Sequence, residues 1–243
     1  SLNTKMPALF FELNSITMRN NEMQIVNNLH AFVWQSPTAN NCNAFFIDGP
    51  TRVLIDPGHR ALFDHVEFGL KELGLNTDDI DLVICTHAHP DHLEGVQLFR
   101  KNSTLFTLSE IEWQWALSAG KGMSAAYGID IEAITPDFFL QEGTLSLDGL
   151  EFQIYHTPGH SPGSVCLYWS AQKALFTGDL VFKDGIGRTD LPGGDGVQIK
   201  ESIQRMAILD VKLLLSGHGD IISGAREVDS NFKRIEKYWF GFV

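Results

Sequence analysis

Four side chains able to hold a metal ion fall within six residues in Thr86-His87-Ala88-His89-Pro90-Asp91-His92. In an extended segment, residues two apart point the same way, so His87 and His89 converge. Pro90 suits the first turn of a helix, which would bring Asp91 and His92 round beside them. Neutral imidazoles and a carboxylate suit zinc or a similar transition metal. Histidines merely satisfied in a core are a poor account of that density. Three further pieces share one grammar, a ligand-type residue among glycines just after an apolar run. They are Thr157-Pro158-Gly159-His160-Ser161-Pro162-Gly163-Ser164, Phe176-Thr177-Gly178-Asp179 and Leu215-Ser216-Gly217-His218-Gly219-Asp220. A lone His or Asp in a glycine turn is usually solvated or turn-forming. With the cluster, their order and spacing point to one metal site assembled at strand ends.

The elements that would position these residues follow from periodicity. Met23–Trp34, Cys42–Ile47 and Arg52–Ile55 read as strands, separated by turn residues such as Asp48-Gly49-Pro50. Leu62, Phe63, Val66, Leu70 and Leu73 have helical spacing, so a helix is predicted over Ala61–Leu73, stopped by Gly74. Asp81–Cys85 reads as a buried strand leading into the histidine cluster. Ser109–Leu117 reads as a helix capped by Ser109, with Glu112 at the third helical position. Strands are predicted at Thr144–Leu147, Glu151–His156, Ser164–Trp169, Lys173–Phe176 and Lys212–Leu215, and helices near Gln198–Ile208 and Glu227–Tyr238. This mixture suits two sheets with helices outside, an α/β (α+β) architecture, better than regular βαβ alternation. No repeat or linker divides the 243 residues, so a single domain over 1–243 is expected.

Composition bounds the partners. Thirty acidic against eighteen basic residues give a formal charge of −12, which argues against nucleic acid and against an anionic membrane surface. No apolar run approaches the roughly 18 residues of a spanning helix. The opening segment has a charge but only a short apolar run at Ala8–Phe11, so no secretory signal is expected. Cys42, Cys85 and Cys166 are an odd count, expected as reduced thiols of a cytoplasmic protein.

On the histidine cluster, His160, Asp179 and His218, the chain resembles the metallo-β-lactamase superfamily over nearly its whole length. The resemblance implies a four-layer αββα sandwich with a metal site at the open edge between the sheets. It implies that His87, His89 and His160 hold one metal, that Asp91, His92 and His218 hold the other, and that Asp179 bridges them. Asp56, in Val53-Leu54-Ile55-Asp56-Pro57-Gly58, matches an earlier acidic motif of the family and is expected to orient a ligand histidine. His89, where flavodiiron proteins have Glu, argues against that branch. The segments His156–Ser164 and Gly187-Arg188-Thr189-Asp190-Leu191-Pro192-Gly193-Gly194-Asp195 look like the glyoxalase II group. Only 25 residues follow His218, so the helical C-terminal domain that contributes glutathione contacts in full-length glyoxalase II enzymes is expected to be missing.

That resemblance implies a dinuclear metal-dependent hydrolase of a thioester such as an acyl-glutathione-like substrate. A hydroxide bridging two divalent ions about 3.5 Å apart would be the nucleophile. Zinc is expected, with iron or manganese as substitutes. Asp91 would ligate one ion and orient the hydroxide. Two divalent ions and one hydroxide would change −12 to −9 (−12 + 4 − 1), leaving an acidic surface around a locally cationic site suited to an anionic small molecule. Arg188 forms a loop ion pair with Asp190 or meets an anionic substrate tail, and Lys183 is a second candidate of that kind. His156 is expected to make a structural hydrogen bond, whereas His30, His59 and His65 receive no role. The competing expectation is a persulfide dioxygenase with a single Fe(II) on His87, His160 and Asp179, and a lactonase is a further alternative. The apolar tail Trp239–Val243 is expected to pack on the body, with a homodimer interface as its other destination.

Overall fold

Short runs of Val, Ile, Leu and Phe, buried on both faces, build the centre of the molecule. In this computed structural model residues 17–19, 22–100, 103–126 and 128–243 are described. The segment read for a secretory signal lies outside them. The first sheet runs in chain order through β1 (Thr17–Arg19), β2 (Glu22–Val26), β3 (Leu29–Phe32), β4 (Ala44–Ile47), β5 (Val53–Ile55), β6 (Leu82–Ile84), β7 (Leu105–Ser109) and β8 (Phe138–Leu140). It is antiparallel up to β5 and parallel from β5 to β8. The second half supplies β9 (Gly143–Leu147), β10 (Leu150–His156), β11 (Val165–Trp169) and β12 (Ala174–Gly178). A separate hairpin follows, β13 (Val181–Phe182) and β14 (Gly185–Ile186), and then β15 (Leu213–Ser216) and β16 (Ile222–Ser223). The second sheet has the order β16-β15-β12-β11-β10-β9, with β12 and β15 parallel.

Period-two alternation sorts the strand residues between layers. Ala44, Phe46, Leu54 and Val83 face an outer helical layer of α1 (Asp64–Glu72), α2 (Pro90–Leu93) and α3 (Glu110–Leu117), with α4 (Lys121–Ala126) beside α3. Phe45, Ile55, Leu82 and Ile84 face the other way and meet Phe152, Ile154, Leu167 and Phe176 of the second sheet. Phe45 and Phe176 touch across the sandwich, edge to face, with ring centroids 5.4 Å apart. Cys166, Leu175 and Leu214 point outward to α5 (Gly196–Ala207) and α6 (Ala225–Trp239). The result is four layers, α/β/β/α, as the resemblance implies.

Local chemistry sets several boundaries. The N–H groups of Gly74 and Leu75 bond the carbonyls of Lys71 and Leu70, a Schellman stop made possible by φ +76° at Gly74. Met23–Trp34, expected as one strand, folds as a hairpin, because Asn27-Asn28 turn the chain with φ +66° at Asn28. The strands β7 and β8 carry no clear signal of their own and are strands because they extend the parallel ladder from β6. All three cysteines are free and buried. Phe240 and Val243 pack on the outer core of the second sheet, and the Trp239 indole N–H donates to the Asp184 carbonyl at 2.9 Å. Among the described residues no helix is long and apolar enough to cross a membrane.

Candidate metal centre

Every sequence-predicted ligand follows a strand closely, as does Asp56, which is expected to orient one of them. Asp56 follows β5, the cluster at His87–His92 follows β6, His160 follows β10, Asp179 follows β12 and His218 follows β15. The parallel pairs β5/β6 and β12/β15 deliver their ends to the same edge of the sandwich. Pro90 opens α2, with His89 at its N-cap in extended geometry, which turns Asp91 and His92 back toward His87. Ring centroids lie 4.8 Å apart for His87 and His89, 4.1 Å for His87 and His92, and 4.5 Å for His89 and His160. Glycine is needed where the strands converge: a Cβ at Gly217 would lie 2.4 Å from Asp179 Oδ1 and 2.7 Å from His92 Cε1.

Three sets of side chains bring one ligand atom each to within 4.8 Å of one another: His87, His89 and His160; His87, His92 and Asp179; Asp91, His92 and His218. The trio expected for a single iron is split between the first two sets. Asp179 lies at the centre, with Oδ1 3.2 Å from His92 Nε2 and Oδ2 3.5 Å from His160 Nε2 and 3.3 Å from His218 Nε2. His218 Nε2 is also 3.3 Å from Asp91 Oδ2.

Hydrogen bonds fix which ring nitrogens present lone pairs. His160 Nδ1 lies 2.8 Å from the Arg188 carbonyl, an acceptor only, so Nδ1 donates and Nε2 aims its lone pair inward. Asp56 accepts from the Thr86 N–H and hydroxyl, both at 2.8 Å. The Thr86 oxygen can therefore accept from His87 Nδ1 at 3.0 Å, which leaves His87 Nε2 a lone pair. The same Asp56 carboxylate stands 3.0 Å from His92 Nδ1. Buried His87 Nε2, His92 Nε2 and Asp179 Oδ1 take part in no hydrogen bond. Converging, unsatisfied nitrogen and carboxylate donors of this kind suit a divalent transition-metal ion. Asp56→Asn should lower metal affinity about 10- to 100-fold by loosening two histidines. Chelator competition measures this, and an unchanged affinity would remove Asp56 from that role.

The electrostatics divide the donors. His87 and His89 are held neutral, whereas the carboxylates around His92 and His218 hold those two rings protonated, so a metal ion would have to displace their protons. Burial, followed by the neighbouring imidazoles, pushes His87 well below its ordinary range and His89 down to about 3. Burial opposes ionisation of Asp91 and Asp179, yet His218 and His92 hold both carboxyls below the usual range. Burial also works to lower His218, but Asp179 and Asp91 outweigh it and raise the group to about 9.

Several contributors escaped the sequence reading. Glu112, fully buried, was placed by its sequence in a capping role, and the structure corrects this. Ser109 caps α3 by accepting the Glu112 N–H at 3.1 Å, but the Glu112 carboxylate turns inward. It accepts from Ala88 N–H at 2.9 Å and from Gly163 N–H at 2.7 Å, tying the loop of His87 and His89 to the loop of His160. Asn43 donates to the carbonyls of Ser216 and Gly219 at 3.0 and 2.9 Å, clamping the His218 loop. Asn40 donates to Asp91 Oδ2 at 2.6 Å. His59, assigned nothing from sequence, stands beside the cluster and lies 2.6 Å from Glu94 through Nδ1. No motif announces any of these contacts.

A cavity of about 480 Å³ opens over the cluster. Arg188 lines it and makes an exposed two-pronged pair with Asp190, at 2.9 Å for each bond. Lys183 is not brought into that wall; it pairs with Asp220 at 2.7 Å on the surface. His156 Nε2 lies 2.9 Å from the Pro162 carbonyl, a structural contact away from the cluster.

Fold and donor set together define a metallo-hydrolase of the sandwich type. The family model described as the Metallo-beta-lactamase superfamily matches residues 37–226, and the chain belongs to that superfamily. Within it the likeness is to the glyoxalase II-like branch. The chain is 33% identical to the hydroxyacylglutathione hydrolase GloC of Haemophilus influenzae over 197 residues, 79% of this chain and 91% of that protein. It is likewise 33% identical to the probable metallo-hydrolase YqgX of Bacillus subtilis, over 78% of this chain and 90% of that one. Among solved structures, the BLEG-1 B3 metallo-beta-lactamase superposes with a TM-score of 0.69 at 33% identity, covering 84% of this chain and 97% of its own. TTHA1623 in a di-iron-bound form gives a TM-score of 0.64 at 31% identity, covering 79% and 93%.

Proposed function

We propose that the protein is a dinuclear metal-dependent thioesterase of the glyoxalase II type. The observation that carries the dinuclear reading is the position of Asp179, one carboxylate within 3.5 Å of His160 in one histidine set and of His92 and His218 in the other. The similarity to GloC, a hydroxyacylglutathione hydrolase, supports the thioester. In this reading His87, His89 and His160 hold one ion, Asp91, His92 and His218 hold the second, and Asp179 serves both. Divalent ions supply, when bound, a water acidified to a pKa of about 7 and a Lewis acid for the carbonyl oxygen.

The chain's own groups do the rest. Asn40 donates to Asp91 Oδ2, which His218 also approaches, so Asp91 Oδ1 would orient the attacking water. Asp56, Thr86 and the Arg188 carbonyl fix the ring orientations, so little reorganisation is needed during the reaction. Collapse of the tetrahedral intermediate expels a thiolate, whose conjugate thiol has a pKa of about 8.5, so the departing sulfur needs no positioned acid. No cysteine competes as nucleophile: burial pushes the thiols of Cys42, Cys85 and Cys166 up, Cys166 to about 12.

Metal analysis of protein as isolated, together with hydrolysis of S-lactoylglutathione followed by thiol release, tests this. Close to two divalent ions per chain with turnover is the expected result. One iron per chain, with oxygen uptake on glutathione persulfide and no thioester cleavage, would overturn it in favour of the dioxygenase.

A further inference from the structure

The cavity over the metal centre is chemically two-sided. Its floor is the cluster of His89, Asp91, His160, Asp179 and His218, and its side wall is Phe182, Ile186 and Leu191. Phe182 and Ile186 stand on the two strands of the β13–β14 hairpin, and the Phe182 ring meets His218 edge-on with centroids 5.7 Å apart. Helix α6 holds that hairpin rigidly. Fully buried Asn231 accepts from the Asp184 N–H and donates to the Phe182 carbonyl, both at 2.9 Å, and Trp239 donates to the Asp184 carbonyl. The apolar wall is therefore preformed before any ligand arrives.

Lysine and arginine are scarce around it. Among the described residues Arg188 is the only lysine or arginine lining the cavity, and both ends of its fork are already engaged by Asp190. A carboxylate or phosphate tail would have to displace that partner, and a phosphorylated thiol carrier would meet no second lysine or arginine among those residues. Glutathione and phosphorylated thiol carriers are charged, so the arm of their thioesters that gains by lying against Phe182, Ile186 and Leu191 is the acyl arm. We infer that this wall is an acyl-binding subsite selecting straight-chain apolar acyl groups, with the thiol half contributing little to recognition. The inference rests on the thioesterase reading for its chemistry, but the subsite is a property of the wall and can be probed without turnover.

The experiment uses the metal-loaded protein and two substrate series running from acetyl to octanoyl, one on glutathione and one on uncharged N-acetylcysteamine. The expected kcat/KM rises about two- to four-fold per methylene, the upper value corresponding to full burial of each CH₂. At equal acyl length the two thiols should agree within about threefold, because the remote half makes few contacts. A series that is flat or falls with length, or a preference for glutathione above about 30-fold, would overturn the inference. A parallel titration measures binding of the free straight-chain carboxylates by calorimetry, with Leu191→Ser as the control for the wall. Affinity rising with length in the wild type and more shallowly in Leu191→Ser supports the subsite, even where no thioester is cleaved and the catalytic reading fails. Affinity independent of length overturns it.

Discussion

Asp179→Ala is expected to remove metal retention and turnover together. The carboxylate lies among His92, His160 and His218 at 3.2 to 3.5 Å, and it holds His218 protonated up to about 9. Its loss takes a negative charge from the centre of a cluster whose other members are five imidazoles and Asp91. Partners that merely orient a ligand cost about 10- to 100-fold in affinity when removed, so a ligand shared by two ions should cost at least about 100-fold for each. The measurement is metal content after dialysis against a weak chelator, with hydrolysis followed on the same samples. Asp179→Asn sharpens the result, since it keeps the shape and one oxygen while discarding the charge. Retention of both ions by Asp179→Ala would refute the shared-carboxylate assignment. Retention of one ion by Asp179→Asn would show that charge rather than geometry sustains the pair.

Glu112→Gln is expected to act at a distance through the backbone. The Glu112 carboxylate is enclosed and accepts one N–H from each of the two loops that carry His87, His89 and His160. Burial pushes its pKa up, and the bonds from Ala88 and Gly163 work against that shift. Glutamine retains one acceptor oxygen but turns an NH₂ group toward the second N–H, setting donor against donor. An unsatisfied buried donor costs about 1–3 kcal/mol. For a chain of this length that is roughly 2–4 °C of melting temperature per kcal/mol. The metal should respond more than the fold, because the loops are free to separate. Cobalt-substituted protein should show an altered ligand-field spectrum and weaker affinity, with the second ion less affected. Melting that falls while spectrum and affinity stay unchanged would reduce Glu112 to a packing residue.

The contrast between these two residues marks what can be read without the fold. Asp179 is legible because its signal is local: an apolar run, a Gly-Asp turn, and partners whose types and order match one coordination chemistry. Most strands and helices were legible for the same reason, since burial on a face imposes a period on neighbouring residues. The hairpin at Asn27-Asn28 and the strands β7 and β8 were not, because a short run becomes a strand through the ladder it joins.

Glu112 looks like a helix-cap residue at short range, and only folding brings it to Gly163, 51 positions away. Asn43 reaches the Ser216 carbonyl across 173 positions. Folding likewise pairs Lys183 with Asp220 on the surface, and Arg188, which lines the cavity, with Asp190. Residue types at short spacing determined the chemistry of the metal donors, because ligand identity is a property of side chains. Tertiary structure decided which groups orient those donors, which side chains line the cavity over them and which charges are paired. Those are contacts between distant parts of the chain, and no local pattern encodes them.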